Sequence, residues 1–180
     1  AGAAIEAHRT TLVTLAGAIG DYAQKLSALR LPVALVEQLA ECLRILQYQE
    51  NAVDTGLHSA ELSAHLAPLP GPALLEAARA FHGSVRQLAG AADHDRPEFD
   101  QAEVDWLLGK LEADYAHLKD RLLAAGADGH LGVRQMQEYL QQASQLRRSA
   151  EQTAKAAGHM SALDHGLAPP PESRGAPEAP

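Results

Sequence analysis

Five apolar stripes at helical spacing, separated by short runs rich in Pro, Gly and polar residues, constrain this chain more than any other feature. Ile5, Leu12, Leu15, Ile19, Tyr22, Leu26 and Leu29 form the first stripe, which stops at Pro32. A second runs through Leu35, Leu39, Leu43, Leu46, Val53 and Leu57 from Pro32, a good first-turn residue, to about Leu66, before the PLPGP break. Unbroken, that helix is some 50 Å long at about 1.5 Å per residue, and Gly56 is its expected weak point. Leu74, Ala78, Phe81, Val85 and Leu88 carry the third stripe as far as the polar ADHDRPE segment. The fourth is Val104, Leu107, Leu111, Tyr115, Leu118 and Leu122, with Asp100 and Glu103 suited to its start and Lys119 and Arg121 to its end. After GADGHLG, Met136, Tyr139, Ala143, Leu146, Ala150, Ala154 and Ala157 make a fifth stripe that fades at Gly158. No strand pattern occurs. The expected fold is all-α, an up-and-down bundle of about five long helices.

Composition agrees with that reading. The 180 residues are 46% hydrophobic but only 4% aromatic, so the core must be built from Ala, Leu and Val, as closely packed helices allow. The expected division is a helical domain over residues 1–163 and a disordered Pro-rich tail over residues 164–180, where APPPESRGAPEAP has almost nothing to bury. Fifteen basic residues against 23 acidic ones give a net charge of -8, the wrong sign for a dedicated nucleic-acid binder. Cys42 is the only cysteine, which excludes an intrachain disulfide and a cysteine-rich zinc site. No window approaches the roughly 20 apolar residues of a membrane helix, so no direct membrane insertion by this segment is expected. The opening AGAAIEAHR lacks an initiator Met and reads as the start of a piece trimmed or cut from a longer protein. Nine histidines make the acidic surface sensitive to pH between neutrality and about pH 6.

The most informative stretch is CLRILQYQENAVD, Cys42 to Asp54, where Glu50 interrupts an otherwise apolar stripe. At about 100° per residue Glu50 lies within roughly 40° of Leu46, on the face of Leu39 and Val53, and is expected to point toward the bundle seam. Asp54 stands one turn further on, and Glu61, His65 and His58 continue near that flank. Two carboxylates at i and i+4 repel when ionised and need a metal ion, a shared proton or a basic partner, for which Arg44, Arg147 and Arg148 are the candidates. Oxygen-rich ligation favours a hard or borderline metal.

The segment LRILQYQENAVD resembles the PhoU signature, in which an apolar helix ends in a Glu-x-x-x-Asp motif, filled here by Glu50 and Asp54. The resemblance spans about residues 5–157. It implies an all-helical PhoU-like domain whose motif carboxylates, Glu50 and Asp54, hold a divalent or ferric metal ion. It further implies the regulatory domain that follows the membrane part of bacterial sodium/phosphate cotransporters, on the cytoplasmic side of the inner membrane. Its expected partner is the transmembrane portion of the parent transporter or a phosphate-signalling protein, with a homodimer as a further expectation and no enzymatic activity. The alternative is a free-standing helical interaction module that dimerises through its second helix. The second half departs from the family's pattern. With Ala143 matched to Leu46, Arg147 falls where Glu50 stands and Glu151 where Asp54 stands, so a second acidic site is lost or converted into a basic partner for the first.

Other constellations are less specific. Di-iron bundles need Glu-x-x-His on two helices, and Glu61 and His65 are one residue too far apart. Around GADGHLG, Ala124, Gly126 and Gln135 occupy positions where a calcium loop requires oxygen ligands, so the segment reads as a helix connection built on Gly129 and Leu131. Asp114, His117 and Glu112 read as polar groups on a solvated helix face. Asp93, His94 and Asp95 form a compact polar loop that ends the third helix, and Trp106 reads as a core or rim residue.

Overall fold

A computed structural model describes residues 2–27 and 32–167 as five α-helices, with no strand among them. They are α1 (Gly2–Ser27), α2 (Val33–Ser63), α3 (Pro72–Ala91), α4 (Gln101–Ala127) and α5 (Val133–Leu167). The all-α expectation therefore holds. The expected tail beyond residue 167 and Leu29 of the first stripe lie outside the described residues.

Local chemistry sets most of the boundaries. Asp100 caps α4, its Oδ1 accepting from Ala102 N at 2.9 Å, and so satisfies one of the amides that a helix start leaves unpaired. Pro72 begins α3 behind Gly71, whose φ of 78° suits glycine. The α4–α5 turn uses the same device at Gly129, φ 73°, and anchors itself by burying Leu131.

Neither of the two glycines singled out in the sequence interrupts its helix. α2 runs through Gly56 without interruption, and α5 runs through Gly158 to Leu167. A glycine costs a helix only about 1 kcal/mol, which tertiary packing outweighs. The boundary expected between residues 163 and 164 consequently falls inside α5.

The helices form two unequal layers. Phe81, Leu88, Val104, Leu111 and Leu122 are fully buried where α3, α4 and α5 meet, and every member of this main core comes from those helices or from Leu131. α1 and α2 contribute nothing to it. α2 instead lies antiparallel on α5 along Ile45, Ala52 and Ser59, its buried residues. Small side chains let the two backbones approach closely. Ser149 Oγ donates to Ala52 O at 2.7 Å, Gln142 Nε2 donates to Ser59 Oγ at 3.1 Å, and a Cβ on Gly56 would stand 3.1 Å from Ser149 Oγ. Among the described residues α1 packs on α2 only, through Leu12, Ile19, Ala23 and Leu26, and leaves Leu15 and Tyr22 54% and 62% exposed. Trp106, 66% exposed, is neither core nor rim.

Candidate functional site at the junction of the two layers

The α2–α5 seam determines where the acidic motif goes. Glu50 and Asp54 are each two residues from Ala52, hence about 160° round the helix from the residue that meets α5. The expectation that Glu50 faces this seam is therefore corrected: close helix approach selected the Ala52, Gly56 and Ser59 face, and the Leu39–Leu46–Val53 stripe lies about 100–140° round the helix from Ala52. Glu50 is half-buried, and Asp54, with 61% of its side chain exposed, looks toward α1.

The cation for Asp54 comes from α1. Arg9 Nε donates to Asp54 Oδ1 at 3.0 Å and Arg9 Nη1 to Glu6 Oε1 at 3.2 Å. Asp54, then Glu6, raise the guanidinium pKa further above its ordinary range, leaving Arg9 a permanent positive charge. The three arginines expected to compensate the motif are not on it. Arg44 pairs with Glu41 at 2.8 Å, Arg147 pairs with Glu112 at 2.7 Å and Glu151 at 3.4 Å, and Arg148 lies exposed on α5. Arg147 is consequently no internal partner for Glu50. Its guanidinium also sits 5.2 Å from the Tyr115 ring centroid, and although burial opposes its charge, Glu112 and Glu151 outweigh that.

A metal finds poor support at the motif. Among the described residues no three His, Cys, Asp or Glu side chains converge, and one of the two motif carboxylates is already held by Arg9. Hard cations take about six oxygen ligands, so Glu50 and Asp54 alone do not fit such a site. His58 turns toward Gln141 of α5 and lies 3.7 Å from the exposed Glu61, and His65 lies past the end of α2. The α4 group separates too. Asp114 accepts from Lys110 Nζ at 2.8 Å and from the buried Ser84, whereas Glu112 turns to Arg147 and His117 stays exposed. Burial works to raise the Asp114 pKa, but the bonds from Lys110 and Ser84 outweigh it and bring the carboxyl below its ordinary value.

What the junction does build is a groove. Because α1 stands on α2 alone, a cleft of about 450 Å³ opens between Leu12 of α1, Gln49, Ala52 and Val53 of α2, and Thr153, Ala156 and Met160 of α5. The loop over residues 92–95 closes one end. The compact polar loop of the sequence thus becomes a wall of this cleft. Its His94 Nε2 lies 3.5 Å from Asp164 Oδ2 on α5, and the His94 ring lies 4.6 Å from that of Phe99. Further along the same seam Glu41 Oε2 is 2.6 Å from His159 Nδ1, and Tyr48 stacks on the His159 ring at 5.2 Å. Sequence reasoning missed this cluster. Glu41 and His159 are 118 residues apart, and each alone is an ordinary polar position on a helix.

The chain matches no protein-family model, no curated protein and no solved structure.

Proposed function

We propose that this chain is a non-catalytic, PhoU-like regulatory domain of a sodium/phosphate cotransporter. On this reading it lies on the cytoplasmic side of the bacterial inner membrane, docks on the parent's transmembrane portion or a phosphate-signalling protein, and modulates phosphate uptake through helix packing. The observation that carries this reading is the unequal layering. A filled three-helix core supports a helical hairpin whose apolar side chains Leu15, Tyr22, Val36 and Leu43 are 54%, 62%, 51% and 40% exposed, the surface an amphipathic helical partner would cover. The resemblance of LRILQYQENAVD to the PhoU signature adds the transport context. The polar clusters of the molecule also support a non-catalytic role, because Lys110, Ser84 and Asp114, like Arg147, Glu112 and Glu151, bond to one another and not into a cavity. Regulation then requires only that the partner bind two packings of the hairpin with different affinity.

Phosphate uptake by cells carrying the parent gene, intact or with Leu15→Glu and Tyr22→Glu in this segment, tests the proposal. Altered uptake at equal expression is expected. Unchanged uptake, or a parent gene with no membrane segments upstream of Ala1, removes the transporter reading. The second reading, a free-standing module that dimerises through α2, is favoured by the exposure of Val33, Leu35, Val36 and Leu43 along one helix. Light scattering on the isolated chain separates the two.

A further inference from the structure

The groove between α1, α2 and α5 combines apolar walls with a mouth of one charge sign. Its floor is made of the small buried residues Ala52, Ala92 and Ala156, and Met160 supplies a flexible wall that adapts to different shapes. At its loop end stand Asp93 and Asp95, both exposed. Among the described residues neither carboxylate meets a basic side chain. The neighbouring Arg96 is turned away, its Nη1 donating to Gly90 O at 2.7 Å, and His94 is turned to Asp164, which adds a third carboxylate beside the loop. A bare metal ion does not fit, because no three ligating side chains converge there and Asp93 Oδ1 accepts from Asp95 N at 3.2 Å. The exposed carboxylates at the mouth attract a cation and repel an anion.

We propose that this groove binds a small organic ammonium, with its apolar body on Val53, Ala156 and Met160 and its charged nitrogen opposite Asp93 and Asp95. The volume, about 450 Å³, is within the range of small-molecule clefts. Because the walls belong to both layers of the fold, occupancy ties the α1–α2 hairpin to the α3–α5 bundle. The proposal does not depend on the transporter reading.

The chain's two methionines provide the test, since Met160 lines the groove and Met136 packs at the main core. With ¹³C-methyl-labelled protein, titration by butyl-, hexyl- and octylammonium should shift the Met160 methyl signal saturably and leave that of Met136 in place. Affinity should rise by about fourfold for each methylene the groove covers. Octanoate, of similar length and opposite charge, should bind about tenfold more weakly, and Asp93→Asn with Asp95→Asn should remove that preference. Both aspartates are exposed, so the double variant keeps the fold, which circular dichroism checks. Equal affinity for octylammonium and octanoate, an unchanged preference in the double variant, or a Met136 shift parallel to that of Met160 would each overturn the proposal.

Discussion

The α3–α5 bundle and the α1–α2 hairpin are written in the same sequence language and reach different outcomes. Both carry Leu-rich stripes at helical spacing. Three helices can surround such a stripe, and so Phe81, Leu111 and Leu122 lose all contact with water. Two helices cannot. α1 buries one edge of its stripe against α2 and leaves Leu15 and Tyr22 outside, and α2 spends its best-packed face on small residues against α5. The lesson is that apolar periodicity reports a helix and an apolar face, whereas burial depends on how many partners the face finds.

Deleting side-chain volume on each side gives the largest expected contrast between the two regions. Leu111→Ala should cost about 3 kcal/mol of unfolding free energy, from lost transfer energy and the cavity left behind. Leu15→Ala should change it by less than about 0.5 kcal/mol. Urea titration of the two variants reads the difference, and equal losses would show that the hairpin is not the looser layer.

A smaller effect should separate the layers without unfolding either. Gly56→Leu places a side chain where Ser149 Oγ stands 3.1 Å from the Cβ position, and should cost about 1–3 kcal/mol by overpacking. Hydrogen exchange is expected to accelerate in α1 and α2 while α3 and α4 stay protected. Uniform acceleration would mean that the seam and the core form one cooperative unit.

The polar clusters offer a pH test. Asp114 has a lower pKa folded than unfolded, so the unfolded chain binds more protons over the interval between the two values and stability rises with pH there. The contribution is present above about pH 4, the ordinary carboxylate value, and is lost as pH falls through the depressed one. Asp114→Asn should remove this part of the acid destabilisation and, by giving Lys110 and the buried Ser84 a neutral amide oxygen in place of a charged acceptor, cost about 1–2 kcal/mol at neutral pH. An acid limb identical to the parent's would show that Asp114 is not its source.

The least change is expected at the acidic motif. Glu50→Gln with Asp54→Asn removes the Arg9 pair, an exposed contact screened by solvent, and should leave the urea midpoint almost unchanged. Metal content after purification without chelator should be the same in parent and variant. A loss confined to the variant would restore Glu50 and Asp54 as ligands.

How much of this was legible in the sequence varied with the range of the interaction. The five helices were legible because stripe, cap and breaker act within a few residues: Asp100 sits beside the amide it caps, and Gly129 and Leu131 define their own turn. That α2 and α5 run on through Gly56 and Gly158 was not, because each glycine sits where another part of the chain approaches, Ser149 at one and Gln101 at the other. Glu50 and Asp54 were legible as an exception within a stripe. Their orientation was not, since it depended on which of two faces of α2 could approach α5 more closely.

An acidic, aromatic-poor, all-helical chain with one carboxylate pair on its second helix follows from the order of residues, because composition and periodicity are properties of the chain alone. Helix packing brings Arg9 to Asp54 and His159 to Glu41, and gives the core to three helices while two lie against it. Those outcomes depend on contacts between residues 45 and 118 positions apart. Spacing along a helix fixes the angle at which a side chain leaves its own axis, and carries no information about which distant helix stands in its path.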